Sequence, residues 1–284
     1  MLRIAIQSKG RLYDDTVNLL KEADAKFNRT ERALLTQSVS FPLEALYLRD
    51  DDIPETVANG VADIGVVGLN EVLEKDENVK VLLHLGVSKC RLSIAVPKDV
   101  TYTGPKWLEG KRIATSYPHI LQKFLKQNGV KAQIHVITGS VEITPLIGLS
   151  DAIFDIVSSG STLVSNNLSE VEVIQKSDAV LIANRNLTAE NKATVSELIF
   201  RFQSAIAARD KKYVMMNAPK SSVKKILGIL PASIKSPTII PLADDDWCSI
   251  HTVLEEKSFW EIIGQLKKAG AQGILVVPIE KMVI

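Results

Sequence analysis

Short apolar runs alternate with amphipathic stretches along most of the chain. The runs that predict strands are Leu2–Gln7, Glu44–Leu48, Ile64–Val67, Val79–Leu85, Leu92–Val96, Arg112–Thr115, Gln133–Ile137, Ala152–Val157 and Val180–Ala183. Helical periodicity falls between several of them, at Asp14–Ala23, His119–Asn128 and Val141–Ile147. Strands alternating with helices predict an α/β architecture with mainly parallel sheets. Roughly ten strands crowd a single sheet, so residues 1 to about 210 are expected to form two α/β lobes around a cleft. The expected lobes are 1–87 with 178–210, and 88–177.

One longer helix is predicted from near Thr188 to Asp210. Val195, Leu198, Ile199, Phe202, Ala205 and Ile206 form a single apolar stripe on a 3.6-residue period. A domain boundary is expected after it, at Lys211-Lys212. The remainder, 211–284, reads strand (Tyr213–Asn217), helix (Ser221–Leu230), two strands (Thr238–Leu242, Ser249–Leu254), helix and strand (Gly273–Pro278). This βαββαβ order is the split-βαβ, ferredoxin-like sandwich. Ser258-x-x-Glu261 reads as a capping box for the second helix, whose apolar face is Phe259, Ile262, Ile263, Leu266 and Ala269, and Gly270 suits its C′ position.

Composition narrows the function classes. Hydrophobic residues make up 46% and charged residues 24% of 284, ordinary for a globular protein. A net charge of +1 gives no bulk attraction to nucleic acid or anionic lipid, so neither is expected as a partner. No window approaches the roughly 18 apolar residues of a membrane span, and the N-terminal run lacks the apolar core of a signal peptide. Cys90 and Cys248 form no CxxC or metal-ligand spacing, and no two histidines are three or four residues apart. A reduced, cytoplasmic protein without a structural metal is expected, and no protein ligand to a metal is assigned.

The chemistry concentrates in Asp151-Ala-Ile-Phe-Asp-Ile-Val-Ser-Ser-Gly-Ser-Thr-Leu163. A buried strand carrying Asp151 and Asp155 empties into a loop of small hydroxyl residues, Ser158, Ser159, Gly160, Ser161 and Thr162. Backbone N–H groups and hydroxyls converging there suit a phosphate, and a carboxylate just ahead of them suits sugar hydroxyls. A phosphorylated sugar is the ligand this pattern favours, although on this stretch alone an ordinary βα turn with Thr162 near a helix N-cap is equally good. Further polar clusters follow other strands: Gln7-Ser-Lys9-Gly-Arg11, Arg49-Asp-Asp-Asp52, Gly68-Leu-Asn70-Glu71, Thr115-Ser-Tyr117-Pro-His119 and Gly139-Ser-Val-Glu142. Each by itself is an ordinary turn or cap. Together they sit where open α/β sheets bind ligands. Lys9 and Arg11 suit phosphates, Tyr117 a purine ring, and Glu142 with Asp155 ribose hydroxyls. Gly104-Pro-Lys-Trp-Leu-Glu-Gly-Lys-Arg112 misses the Walker A pattern by one residue and lacks its Ser/Thr, and reads as a loop before a strand.

These residues, taken in order, resemble the long form of the ATP phosphoribosyltransferase family. The matching stretches are Lys9-Gly-Arg-Leu12, Arg49-Asp-Asp-Asp-Ile-Pro54, Asp63-Ile-Gly-Val-Val-Gly68, Lys111-Arg-Ile-Ala-Thr-Ser-Tyr-Pro118, Gly139-Ser-Val-Glu142 and Asp155–Leu163, with Pro237–Leu242 and Pro278–Met282 near the end. Ser159 stands where the family's loop commonly has Thr, and the hydroxyl is kept.

The resemblance implies a catalytic part like type II periplasmic-binding-protein domains, with an ACT-like regulatory domain behind it. It implies transfer of the phosphoribosyl group of 5-phosphoribosyl 1-pyrophosphate (PRPP) to N1 of ATP, releasing pyrophosphate, with Mg²⁺. It places Asp155, Glu142, Lys9 and Arg11 at the chemistry. Arg49, Gly68, Asn70, Tyr117, Asp151 and Ser158–Thr162 would bind substrate. Histidine would inhibit from a pocket around Leu242, Ala243, His251 and Thr252, in a homo-oligomer of dimers assembling to a hexamer. Two alternatives stay open: a solute-binding or sensor protein of the same two-lobed fold, and a phosphoribosyltransferase with another nucleophile.

Overall fold

Leu2, Ile4, Ala5 and Ile6 are all buried in β1 (Leu2–Gln7), the mark of a strand covered on both faces. In this computed structural model, which describes residues 1–30, 33–231 and 237–283, β1 begins an alternation of strands and helices. There follow α1 (Arg11–Glu22), β2 (Leu35–Gln37), β3 (Leu43–Leu48), α2 (Ile53–Ala58), β4 (Ile64–Gly68), α3 (Leu69–Lys75) and β5 (Val79–His84). A second series comprises β6 (Cys90–Pro97), β7 (Arg112–Thr115), α4 (Pro118–Gln127), β8 (Gln133–Val136), β9 (Ala152–Val157), α5 (Ser161–Ser165) and β10 (Leu168–Ser177). The chain then returns to the first sheet with β11 (Ala179–Asn184) and continues into α6 (Ala189–Ala208).

The first sheet has the order β2-β3-β1-β4-β11-β5 and the second β10-β6-β9-β7-β8. In the first, β3, β1 and β4 run parallel and the returning β11 is inserted antiparallel between β4 and β5, with β2 antiparallel at the edge; in the second, β8, β7 and β9 run parallel and β6 lies antiparallel between β9 and β10. This is the two-lobed α/β arrangement of type II periplasmic-binding-protein domains. The second sheet packs on both faces because its strands alternate: Ile94 and Phe154 point into one cluster, Ala95, Ile153 and Val157 into the other. The chain crosses between sheets twice, at 85–89 and at Asp178.

The chain divides into two compact units, Met1–Ile199 and Phe200–Ile284, with the division inside α6. The second unit contains β12 (Lys211–Pro219), α7 (Val223–Ile229), β13 (Thr238–Pro241), β14 (Trp247–Glu255), α8 (Glu256–Lys268) and β15 (Gln272–Pro278). Its sheet order, β13-β14-β12-β15, is wholly antiparallel and is that of the ferredoxin-like fold. Val214, Met216, Ile250 and Leu254 face Ile226, Phe259 and Leu266 of the helices in one core.

Several expectations are corrected. Val141–Ile147 is only a single 3₁₀ turn, Val141–Ile143, followed by further turns, because Pro145 and Gly148 interrupt it. β10 was not expected from the sequence; its alternation of Val171 and Val173 with Glu170 and Glu172 is the pattern of a half-covered edge strand. α8 begins at Glu256, so Ser258 lies inside its first turn and caps nothing. Gly270 does follow the helix with φ +102°.

Phe154 is fully buried among the side chains of the second sheet. Phe154→Ala is expected to lower unfolding free energy by about 3–5 kcal/mol, measured by denaturant titration; a loss below about 1 kcal/mol would contradict this packing.

Candidate active site

The register of the two sheets brings one set of strand ends together. β1, β3 and β4 end at Gln7, Leu48 and Gly68, and β7, β8 and β9 at Thr115, Val136 and Val157. Arg91 pairs with Val157 and Cys90 with Ser177, so β6 starts and β10 finishes at that same edge of the second sheet. Ala179 pairs with Gly68 and Val180 with His84, so both crossings leave the first sheet at its carboxyl edge. Open α/β sheets bind ligands at such edges.

At the end of β9 the hydroxyl loop turns at Gly160, whose φ of +81° favours glycine. Ser158, Ser159, Ser161 and Thr162 are exposed, and the Ser159 and Ser161 hydroxyls lie 2.9 Å apart. Arg11, at the start of α1 on the first lobe, reaches across to donate to Ser158 Oγ at 2.7 Å and to the Lys89 carbonyl at 3.1 Å. Arg91 donates to the Ser158 carbonyl at 3.0 Å. Lys9 is exposed two residues before Arg11. The structure thus joins two clusters separated by almost 150 residues.

Asp155 sits near the end of β9, half-buried. Burial pushes its carboxyl up to about 6; the charge of nearby Glu142 acts in the same direction, while a backbone hydrogen bond from Ile156 pulls it down. A carboxyl kept near neutrality beside a hydroxyl loop has the perturbed titration typical of functional sites.

Tyr117, expected to meet a purine, is 7% exposed and has a structural task. Its hydroxyl donates to Glu71 Oε1 at 2.9 Å and accepts from Asn70 Nδ2 at 3.2 Å, linking the two lobes. Asn70 is 4% exposed: its side chain also donates to Glu71 Oε1 and accepts from Ser177 Oγ, and its backbone N–H donates to the same hydroxyl. In this conformation Tyr117 and Asn70 are internal network members, not open binding surfaces. Gly68 ends β4 immediately before α3; a Cβ there would meet Asn70 Oδ1 at 2.3 Å.

Asp151 is removed from the site altogether. It precedes β9, whose six residues place it about 20 Å from the hydroxyl loop, and Arg112 occupies both of its oxygens, holding its carboxyl below the usual range. Arg49, at the end of β3, is exposed and forms an ion pair with Asp51 at 3.2 Å. In the second unit, His251 and Thr252 are adjacent on β14 and therefore point to opposite faces, so they cannot line one pocket within a single copy. His251 faces away from the helices, between Tyr213 OH at 2.7 Å and Ser249 Oγ at 2.9 Å. Thr252 is buried. Leu242 and Ala243 lie in the turn joining β13 to β14.

Sequence reasoning named Glu71 in a strand-end cluster without giving it a role, and missed Glu74. Glu74, 6% exposed, accepts from the backbone N–H groups of His119 and Ile120 at 2.8 and 3.0 Å, capping α4 from the opposite lobe. Burial also raises the Glu71 carboxyl. The buried residues of α3 are Asn70, Glu71 and Glu74. Hydrophobic periodicity looks for an apolar buried face and is blind to this one.

A hydroxyl loop, an elevated carboxyl and a cross-lobe arginine at facing strand ends define a two-lobed α/β protein built for a phosphorylated ligand. Residues 49–204 match the family model described as ATP phosphoribosyltransferase, and residues 208–281 the one described as HisG, C-terminal domain. The chain is 62% identical to ATP phosphoribosyltransferase of Bacteroides thetaiotaomicron and 61% identical to that of Bacteroides fragilis, each over 284 residues and the full length of both chains. It is similar to the solved ATP phosphoribosyl transferase (HisG:HisZ) complex from Thermotoga maritima at 30% identity and a TM-score of 0.63, covering 72% of this chain and 96% of that one. The chain belongs to the ATP phosphoribosyltransferase family, in the long form that carries the C-terminal domain.

Asp155 titrates near 6 when folded and near the ordinary Asp value of about 3.9 when unfolded. The folded state therefore holds an extra proton between those values, and the chain loses stability as pH rises through about 6. Asp155→Asn is expected to melt higher than wild type at pH 8, with the gap closing below about pH 4. Equal melting temperatures at pH 8 would remove the buried-carboxyl assignment.

Proposed function

We propose that the protein catalyses attack of ATP N1 on C1 of PRPP. A C–N bond forms, the C1–O bond breaks with its electron pair leaving on pyrophosphate, and N1-(5-phosphoribosyl)-ATP results, the first step of histidine biosynthesis. The observation that carries this reading is the convergence of Asp155, the Ser158–Thr162 loop and Arg11 at the carboxyl edges of both lobes.

Each group has a part in that reading. The loop hydroxyls and N–H groups hold the 5-phosphate, with Arg11 supplying positive charge from the other lobe. Asp155 accepts from the ribose hydroxyls, with Glu142 beside it, and so fixes C1 for attack. No side-chain nucleophile is needed, because the purine nitrogen is itself the nucleophile. Lys9 and Arg49, both exposed at carboxyl ends of the first sheet, are suited to substrate phosphates. Mg²⁺ neutralises pyrophosphate charge in such chemistry. In this reading the ion rides on the substrate's own phosphate oxygens, as Mg²⁺ does where it keeps several waters and few protein ligands. This reading places the protein in the cytoplasm, where ATP is available.

Residues 211–284 are assigned to feedback inhibition by histidine and to assembly as dimers forming a hexamer. The match of 208–281 to the family's C-terminal domain supports this. So does the sheet face without helices, where Tyr213, Ile240, Leu275 and Val277 are each more than a third exposed.

Asp155→Asn is expected to lower kcat about 100-fold through loosened ribose placement, read as pyrophosphate release. Wild-type activity should rise as pH passes about 6, where the carboxyl ionises, and the variant should lose that limb. A folded variant with wild-type kinetics would sink the ribose role. Arg11→Ala is expected to weaken PRPP binding about tenfold, the scale of one charge-assisted contact; unchanged PRPP and ATP affinities in calorimetry would remove Arg11 from the site. Saturating histidine should reduce activity without competing with ATP, and purely ATP-competitive inhibition would refute a separate regulatory site.

A further inference from the structure

On the first crossing between the sheets, Val87, Ser88 and Lys89 are each held by a different part of the chain. The Val87 carbonyl accepts from Ala179 N–H at 3.0 Å, which ties it to the start of β11. Ser88 donates to one oxygen of Asp15 twice, through its backbone N–H at 3.1 Å and its hydroxyl at 2.6 Å. The Lys89 carbonyl accepts from Arg11 at 3.1 Å. Ser88 has a φ of +49°, in the left-handed region where residues other than glycine are uncommon. Asp15 therefore holds Ser88 in a conformation that a serine by itself disfavours.

Arg11 and Asp15 are four residues apart on α1 and so share a face of that helix. That face grips two adjacent residues of the crossing, Ser88 with its acceptor and Lys89 with its donor. Two residues beyond Lys89, Arg91 donates to the Ser158 carbonyl at 3.0 Å and stands opposite Val157 in the β6–β9 register. Arg11 itself donates to Ser158 Oγ at 2.7 Å. Helix α1, the crossing and the hydroxyl loop thus form a closed circuit of bonds that passes through Arg11. Within it, the turn at Ser88 decides where the Lys89 carbonyl points. A Ser88 relaxed to negative φ would redirect that carbonyl, and Arg11 would lose one of the two acceptors that aim it.

We propose that Asp15 and Ser88 are positioning residues for the reaction: Asp15 fixes the left-handed turn at Ser88, and that turn sets where the Arg11 guanidinium meets the hydroxyl loop. Neither side chain belongs to the loop, and both act through Arg11. The proposal rests on the reading of Arg11 as a phosphate ligand supplied from the opposite lobe. Placement at such a site is demanding, since a displacement of about 1 Å far from the chemistry can cost about 100-fold. A guanidinium suits the task, because its planar fork is held at one nitrogen by Lys89 and directs the other to Ser158.

The test measures PRPP affinity by calorimetry on the full-length chain, with melting temperature as the control for folding. Asp15→Ala, Asp15→Asn, Ser88→Ala and Ser88→Gly are each made alone and together with Arg11→Ala. Asp15→Ala and Ser88→Ala are expected to weaken PRPP binding about fivefold, inside the roughly tenfold expected from losing Arg11 itself. Asp15→Asn keeps an acceptor, and Ser88→Gly keeps the turn while losing only the hydroxyl, so each should cost about twofold. In the Arg11→Ala background none of the four should weaken PRPP further, because the group they position is gone. A merely structural pair would give the same loss with and without Arg11, and that result would overturn the proposal. So would wild-type affinity in both alanine variants, or an equal loss in Ser88→Ala and Ser88→Gly. If Asp15→Ala does not fold, the two Ser88 variants with and without Arg11 decide the question. Wild-type PRPP affinity in Arg11→Ala alone is a separate failure: it removes Arg11 from the site, and the positioning role falls with it. A loss there with additive Asp15 and Ser88 effects keeps Arg11 as a ligand and defeats the positioning role alone.

Discussion

The arrangement of this molecule depends on the second crossing between sheets, which is a single residue long. β10 ends at Ser177 and β11 starts at Ala179. Asp178 between them accepts from Gly86 N–H, on the first crossing, at 3.2 Å and pairs with His84, the last residue of β5. Backbone bonds from Leu85 to the Ala179 carbonyl and from Ala179 to the Val87 carbonyl complete the join. Two short crossings tied together leave the lobes little freedom to separate or to slide along one another. Their carboxyl edges therefore remain neighbours, and every cluster at those edges is brought to one place.

The polar contact of α3 with α4 is a second consequence of that closeness. A carboxylate buried without a partner carries a desolvation cost of several kcal/mol. Glu74 escapes it by satisfying two N–H groups of the α4 first turn that would otherwise lack acceptors. Glu71 escapes it through Tyr117 and Asn70. Each lobe supplies what the other leaves unpaired. Such an interface is directional, unlike an apolar one, and specifies the angle between lobes by hydrogen-bond geometry.

What the sequence made legible follows from the same physics. Strands such as Val180–Ala183 were readable because burial on both faces demands an unbroken apolar run. β10 escaped because an edge strand needs only alternation, and its glutamates look like a solvated loop. The hydroxyl loop was readable because its backbone and side chains act locally, within five residues. Its union with Arg11 was not, since nothing local encodes a contact across nearly 150 positions. Asp151 and Asp155 look equivalent in sequence, four residues apart, yet the strand between them sends one to Arg112 and the other to the loop.

That pair shows how environment, more than residue type, divides structural from chemical carboxylates. Asp151 is half-exposed and doubly bonded by a guanidinium, so its charge is stabilised and its titration displaced downward. It anchors the far end of the sheet and gains nothing from a ligand. Asp155 is more deeply placed and has no cationic partner to stabilise its charge, and Glu142 adds repulsion. Its ionised form is therefore costly in the free protein, and in the proposed function a donor arriving from outside relieves that cost. Sugar hydroxyls are such donors. A site that holds a carboxylate short of hydrogen bonds until its ligand enters turns folding stability into affinity, which is the trade expected of a residue selected for binding.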